Sequence, residues 1–194
     1  MRRFAAALCF AAIAPLHAQT GPRPADEMPQ RIDKERANSA GAKSDWERRQ
    51  EESDFREADL PLPALPDSQA LIEFFVTGAS SFRFYIDPAS ISVGADNVVR
   101  YTLVARSASG FENVSYEGMR CAAGTFKVFA FANDGQWKRS NSEWQEIEPK
   151  TVQRWHNVLR GRFFCPNRLS IVTAAEGVDA LRRGAHPAIK NTGI

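Results

Sequence analysis

The sequence predicts an α+β domain, an antiparallel sheet of about six strands covered by C-terminal helices, preceded by a signal peptide and a disordered tether. Three observations predict it. Short apolar runs between Leu71 and Asn133 are separated by tight turn signals, as consecutive antiparallel strands require. After Asp67 a single proline, Pro88, occurs before Pro149, and sheets hold little proline because it removes a ladder donor. Beyond Pro149 the apolar residues recur at helical spacing.

The chain opens MRRFAAALCFAAIAPLHAQT. Arg2 and Arg3 form a positive n-region, Phe4 to Ala14 an apolar h-region, and Pro15 with the small Ala18 places cleavage before Gln19. The run is shorter than the roughly 20 apolar residues that span a bilayer, so no transmembrane segment is expected in the mature chain. Cys9 follows Leu8, where lipoprotein signals need a small residue, so lipid anchoring is not expected either. The mature protein reads as soluble and exported. Removing residues 1–18 takes two arginines and no acid from 25 basic and 23 acidic residues, leaving 23 of each. A neutral mature chain gives no electrostatic reason to expect nucleic acid.

Residues 19–60 carry eight basic and eleven acidic residues and few large apolar ones, namely Met28, Ile32, Trp46, Phe55 and Leu60. That is too little apolar surface to offset backbone entropy, so this stretch reads as a mixed-charge tether. Within it, Ser44-Asp45-Trp46-Glu47 fits a capping box for a short helix, with Trp46 and Phe55 as candidate docking anchors. LPLPALPD, residues 60–67, is a proline-spaced extended lead-in, and the domain is set at 61–185, with 186–194 as a tail.

Within the domain, Leu71–Thr77 is β-rich. Phe82–Asp87 alternates, with Phe82, Phe84 and Ile86 on one face. Asp87-Pro88-Ala89-Ser90 reads as a turn before a short Ile91–Val93 strand. Across Asn97–Arg106, Val99, Tyr101, Leu103 and Ala105 face in while Arg100, Thr102 and Arg106 face out. Phe111–Cys121 and Thr125–Asn133 follow, and Asn133-Asp134-Gly135 is a strong hairpin signal. Thr125–Asn133 is apolar on both faces, which predicts a central strand covered twice. Val152, Trp155, Leu159 and Phe163 form a helical stripe that ends at Cys165-Pro166. Leu169–Val172 reads as one more short strand. Thr173-Ala174-Ala175-Glu176 is a capping box for a last helix that stops near Gly184.

Two cysteines remain in the mature chain, Cys121 and Cys165. An even count in an exported chain reads most simply as one disulfide, closing a loop of 45 residues worth about 4 kcal/mol of chain entropy at the upper end. A redox or catalytic thiol, or unpaired structural thiols, are the other readings. Glu117 shares a strand face with Ser115, Met119 and Cys121, while Arg120 lies on the opposite face. If buried, Glu117 needs a partner such as an arginine, so Glu117 and Arg120 mark a candidate buried polar site, structural before catalytic. Lys150, Arg154, Arg160, Arg162 and Arg168, with Arg182 and Arg183, face only Glu176 and Asp179 across residues 150–183. They form a candidate basic patch for an anionic partner, against the plainer reading of a solvated helix face. No CxxC or HExxH spacing occurs, His156 and His186 lie far apart, and no metal or cofactor is expected. KVFAFAN at Lys127–Asn133 departs from the RNA-binding pattern it partly follows, with Val128 in place of glycine, so its phenylalanines read as core.

The series Tyr85-Ile86-Asp87 with Ser90, then Asn113–Cys121 (NVSYEGMRC), Asp134-Gly135-Gln136-Trp137 and Phe164-Cys165-Pro166 resembles the CNP-one-like family (cryptic neisserial protein one) over roughly residues 60–180. The resemblance implies an exported bacterial envelope protein, periplasmic or lipid-anchored, of unknown molecular function, and supplies no catalytic residues. The expectation is therefore a non-enzymatic module that binds an envelope protein or an anionic envelope component. The alternative is an envelope enzyme or thiol-redox protein using Glu117 or Cys121 and Cys165.

Overall fold

The computed structural model describes residues 44–148 and 154–189. The expected signal peptide, the expected tether up to residue 43, residues 149–153 with Lys150 and Val152, and residues 190–194 lie outside the described residues, and all that follows concerns the unit beginning at Asp45.

The alternating runs form an antiparallel meander in sequence order: β1 (Ile72–Phe74), β2 (Phe82–Val93), β3 (Val98–Ser107), β4 (Glu112–Arg120), β5 (Thr125–Asn133) and β6 (Gln136–Arg139). A two-residue β7 (Gln145–Glu146) pairs with the start of β5, while β6 pairs with its end. Between them the Ser142 hydroxyl completes the ladder, accepting from Val128 N (3.1 Å) and donating to Val128 O (2.8 Å). The β5–β6 turn has positive φ at Asp134 and Gly135, the conformation that an Asp-Gly hairpin supplies at least cost.

Helix α1 (Asp45–Asp54) precedes the sheet. Helix α2 (Arg154–Val158) runs directly into a π-helical segment, Leu159–Phe164, and α3 is Ala174–Arg183. The expected cap of α3 is present: Thr173 Oγ1 accepts from Glu176 N at 3.2 Å, and Gly184 closes the helix in the left-handed conformation. The Glu176 carboxylate reaches back to Val172 N (2.6 Å).

The helices cover one face of the sheet. Leu159, Phe163, Phe164 and Leu181 pack on Phe84, Ile86, Tyr101, Leu103 and Met119, so the inward set expected for β3 is the core set. Several other expectations are corrected. The Asp87–Ser90 turn is a bulge within one continuous β2: Ser90 Oγ donates to Asp87 O (2.8 Å) and accepts from Thr102 N (2.7 Å), which keeps the strand paired. The strand covered on both faces is β3, buried from Val98 to Val104, and not β5, where Phe131 is half exposed. A bulge pairs Glu117 with Val128 but Tyr116 with Ala130, so alternation breaks and Phe129 lies beside Tyr116 and Trp144, away from the helices. Leu169–Val172 forms no strand: Ile171 plugs the core while Leu169 and Val172 point outward.

The second face is covered by the chain's own N-terminal part. Residues 55–63 run extended across it, so the packed region begins by Phe55, earlier than the expected boundary at 61. His186, expected to start a tail, is buried, and its N–H donates to Arg162 O at 2.7 Å.

Candidate functional site

Three constellations hold the sequence's chemically capable residues. The first is inside. Strand β4, in unbroken register with β3, turns Ser115, Glu117 and Met119 toward the helices by alternation, with Cys121 just past its end on the same face. Glu117 is 3% exposed. Its Oε2 lies 2.8 Å from His156 Nε2 and accepts from Tyr101 Oη (3.2 Å), while Oε1 accepts from Ser115 Oγ (2.6 Å). His156 is 2% exposed and stacks on Phe126 with ring centroids 3.6 Å apart. The partner of Glu117 is thus a histidine and not an arginine. Burial, and then the negative charge of Glu117, push the Tyr101 hydroxyl well above its usual 10, so it remains a neutral donor. His156 Nδ1 and Trp155 Nε1 are buried without a hydrogen-bond partner among the described residues. Acid, base and hydroxyl are together, but no substrate can reach them without opening the core. Next to this cluster, Cys121 and Cys165 are disulfide-bonded, joining the end of β4 to the end of the π segment.

The second constellation lies on the opposite face. Arg100 is 1% exposed although strand alternation turns it away from the helices. Its guanidinium donates to Asp96 (3.0 and 2.6 Å) and to Ala58 O (3.1 Å), and Asp96 Oδ2 accepts in turn from Ala58 N (2.9 Å). Burial works to raise the Asp96 carboxyl, but the bonds from Arg100, Ala58 and Val98 outweigh it and hold it below its ordinary value. Around this pair, Glu57 accepts from Lys127 Nζ (2.9 Å) and Trp144 Nε1 (2.9 Å). Phe55 meets Trp144 edge-on, and Arg120 lies 3.7 Å over the Phe55 ring. Trp137 Nε1 donates to Pro63 O (2.8 Å). Glu117 and Arg120 therefore belong to different sites, as their alternation requires. Gly118 between them leaves room for Phe129: a Cβ there would stand 2.6 Å from its ring.

The third constellation is basic. Arg160 and Arg168 line an open depression of about 490 Å³ together with Gly161, Cys165, Asn167, Ala188 and Ile189. Arg154, Arg182 and Arg183 are exposed elsewhere on α2 and α3, Arg162 is half-buried, and neither Arg154 nor Arg162 lines the depression. Burial, and secondarily the charge of Arg168, lower the Arg160 guanidinium from its ordinary value. Among the described residues no three His, Cys, Asp or Glu side chains are grouped to hold a metal ion, and no helix is long and apolar enough to cross a membrane.

Sequence reasoning missed the Arg100–Asp96 pair and the His156 partner. The short separation of Asp96 and Arg100 around a GADN turn was the one local signal for the first. Nothing in the sequence pointed to the second.

A model of the CNP1-like family matches residues 50–182, and the chain belongs to that family. A curated relative, "Cryptic neisserial protein 1" of Neisseria gonorrhoeae (strain ATCC 700825 / FA 1090), is 27% identical over 111 residues, 48% of this chain. The match covers 55% of that relative, so this chain spans about half its length. No solved structure matches the chain. The family match begins at residue 50, so the strap that covers the second face of the sheet lies within it.

Proposed function

We propose that this chain is a non-enzymatic binding module of the bacterial envelope, exported to the periplasm, whose partner is another envelope component. The observation that carries the reading is the burial of Glu117 with His156 and Tyr101: this acid–base cluster is sealed in the core, and the second His–Glu pair, His186 with Glu176 at 2.8 Å, ties the end of the chain to the start of α3. The disulfide supports it too. Cys121 and Cys165 are 1% and 5% exposed, while thiol exchange needs a sulfur that an incoming thiolate can reach. Export is supported by the charged-then-apolar N-terminus and by the oxidised cysteine pair, which oxidising compartments favour.

The test combines two measurements. Purified mature chain and its Glu117→Gln variant are assayed against ester, glycoside and peptide substrates, and in-cell crosslinking of the exported protein identifies its partner by mass. The expected result is no turnover that depends on Glu117, together with one reproducible envelope partner. A hydrolase activity abolished by Glu117→Gln in a variant that remains folded would overturn the reading.

A further inference from the structure

Arg160 and Arg168 come from different local structures. Arg160 sits on the π segment, whose irregular backbone turns its carbonyls to outside donors: Arg162 O takes His186 N, and Phe164 O takes Ile171 N. Such segments are frequent at functional sites. Arg168 sits three residues past the disulfide, in a turn where Asn167 (φ 53) and Arg168 (φ 67) are both left-handed. A left-handed arginine costs free energy that glycine at this position would not. Arg168 lines the same depression as Arg160.

Neither arginine has a carboxylate partner among the described residues. Arg160 spends one N–H on Cys121 O (3.2 Å), and its Nε is buried without a partner. Two like charges lining one recess, Arg160 half-buried and Arg168 exposed, raise its positive potential, and no carboxylate among the described residues lines the recess. Of the remaining lining, Gly161, Cys165, Ala188 and Ile189 are small or apolar and Asn167 alone has a polar side chain, which leaves room for a group of several heavy atoms.

We propose that this depression is an oxyanion site, in which Arg160 and Arg168 bind a phosphate group. Phosphate is preferred to carboxylate because its second charge matches the second guanidinium, and its three oxygens can accept from both forks at once. The source is either a free phosphate or the headgroup of an anionic lipid. This inference rests on the binding-module reading, for which it names a ligand-bearing site. It also narrows the basic patch: Arg154 and Arg162 stand outside the site.

Replacing Arg168 by glycine separates binding from folding. Glycine adopts φ 67 freely, so Arg168→Gly keeps the turn and preserves or raises stability while removing one charge. Arg154→Gln, exposed and outside the depression, controls for net charge. The two variants and the wild-type chain are titrated with inorganic phosphate, following backbone amide shifts. They are also tested for sedimentation with phosphatidylcholine vesicles with and without phosphatidylglycerol. The expected result is saturable shifts at residues 160–168 and 188–189, weakened by sodium chloride, about ten-fold weaker in Arg168→Gly and unchanged in Arg154→Gln. Binding to phosphatidylglycerol vesicles without binding to free phosphate, again lost only in Arg168→Gly, supports the site and assigns it to a headgroup. No response to either probe, or equal responses from both variants, overturns it. Crosslinking to an envelope partner that persists in a chain without anion binding would overturn the site and leave the binding-module reading standing. A Glu117-dependent hydrolase activity would do the reverse.

Discussion

Glu117 Oε2 lies 2.8 Å from His156 Nε2, although the two are 39 positions apart in sequence, and solvent reaches almost none of either. The contact joins β4 to α2. The disulfide from Cys121 to Cys165 joins the end of the same strand to the end of the π segment that continues α2, and Arg160 adds a bond to Cys121 O. One seam between sheet and helix therefore carries a polar link, a covalent link and a backbone link. This explains how NVSYEGMRC serves the fold: Tyr116 packs on Phe129 and Trp137, Glu117 enters the core, Gly118 admits Phe129, Arg120 supports Phe55 and Cys121 is bridged.

Glu117→Ala removes the acceptor from His156, Tyr101 and Ser115 together, leaving buried donors unpaired. The expected cost is about 3 kcal/mol or more, read as a lowered urea midpoint. Glu117→Gln keeps the shape and an acceptor, and is expected to lose about 1–2 kcal/mol. A midpoint for Glu117→Ala equal to wild type would show that the carboxylate is not the hub of this cluster.

Asp96 and Arg100 predict an acid-side effect. The Asp96 carboxyl titrates below its ordinary 3.8 in the folded chain. The stabilisation is therefore complete above the unfolded value and is lost as pH falls through 3.8 toward the folded one. Asp96→Asn removes this dependence, so the stability difference from wild type should shrink between about pH 5 and pH 2. At neutral pH, Asp96→Ala leaves Arg100 buried without its counter-ion and is expected to cost about 3–5 kcal/mol. A pH-independent difference between wild type and Asp96→Asn would count against the buried pair.

The parts of the fold legible in the sequence were those fixed by local rules. Alternation placed Val99, Tyr101 and Leu103 inside, Asn133-Asp134-Gly135 marked the hairpin, and Thr173 with Glu176 marked the start of α3. Alternation assigns faces, however, and cannot say which face is covered. Arg100 and Thr102 face away from the helices as alternation requires, yet both are buried, and Ala58 of the strap lies on Arg100. That strap escaped notice for a physical reason. Apart from Phe55, the expected anchor that meets Trp144, it docks through the backbone of Ala58, the carboxylate of Glu57 and the carbonyl of Pro63, none of which contributes to an apolar count. The basic patch was visible as composition, but only the folded turn after Cys165 shows that Arg160 and Arg168 converge while Arg154 does not.

The disulfide should account for a large share of stability. Cys121→Ala with Cys165→Ala frees a loop with a sequence separation of 44 and is expected to cost up to about 4 kcal/mol, less any relief in the folded state. Because Glu117 and His156 still join the same two elements, the variant should retain native secondary structure by circular dichroism while its midpoint falls. A midpoint that does not change when the oxidised wild type is reduced would contradict this assignment of the staple.

The strap should loosen without the domain unfolding. Glu57 bridges Lys127 and Trp144 at the surface, with side-chain exposures of 32% for Glu57 and 20% for Lys127, so Glu57→Ala is expected to cost less than about 1 kcal/mol of global stability. Its local effect should be larger. The carboxylate is one residue from Ala58, whose amide and carbonyl engage Asp96 and Arg100. Release of Glu57 should therefore speed hydrogen exchange at the Ala58 amide, while amides in β3 remain protected. Trp144 loses its acceptor and its shielding together, so its fluorescence should move to longer wavelength. If exchange at Ala58 and in β3 rises by the same factor, the strap opens only with the whole domain, and it is then a constituent of the fold and not a separable cover.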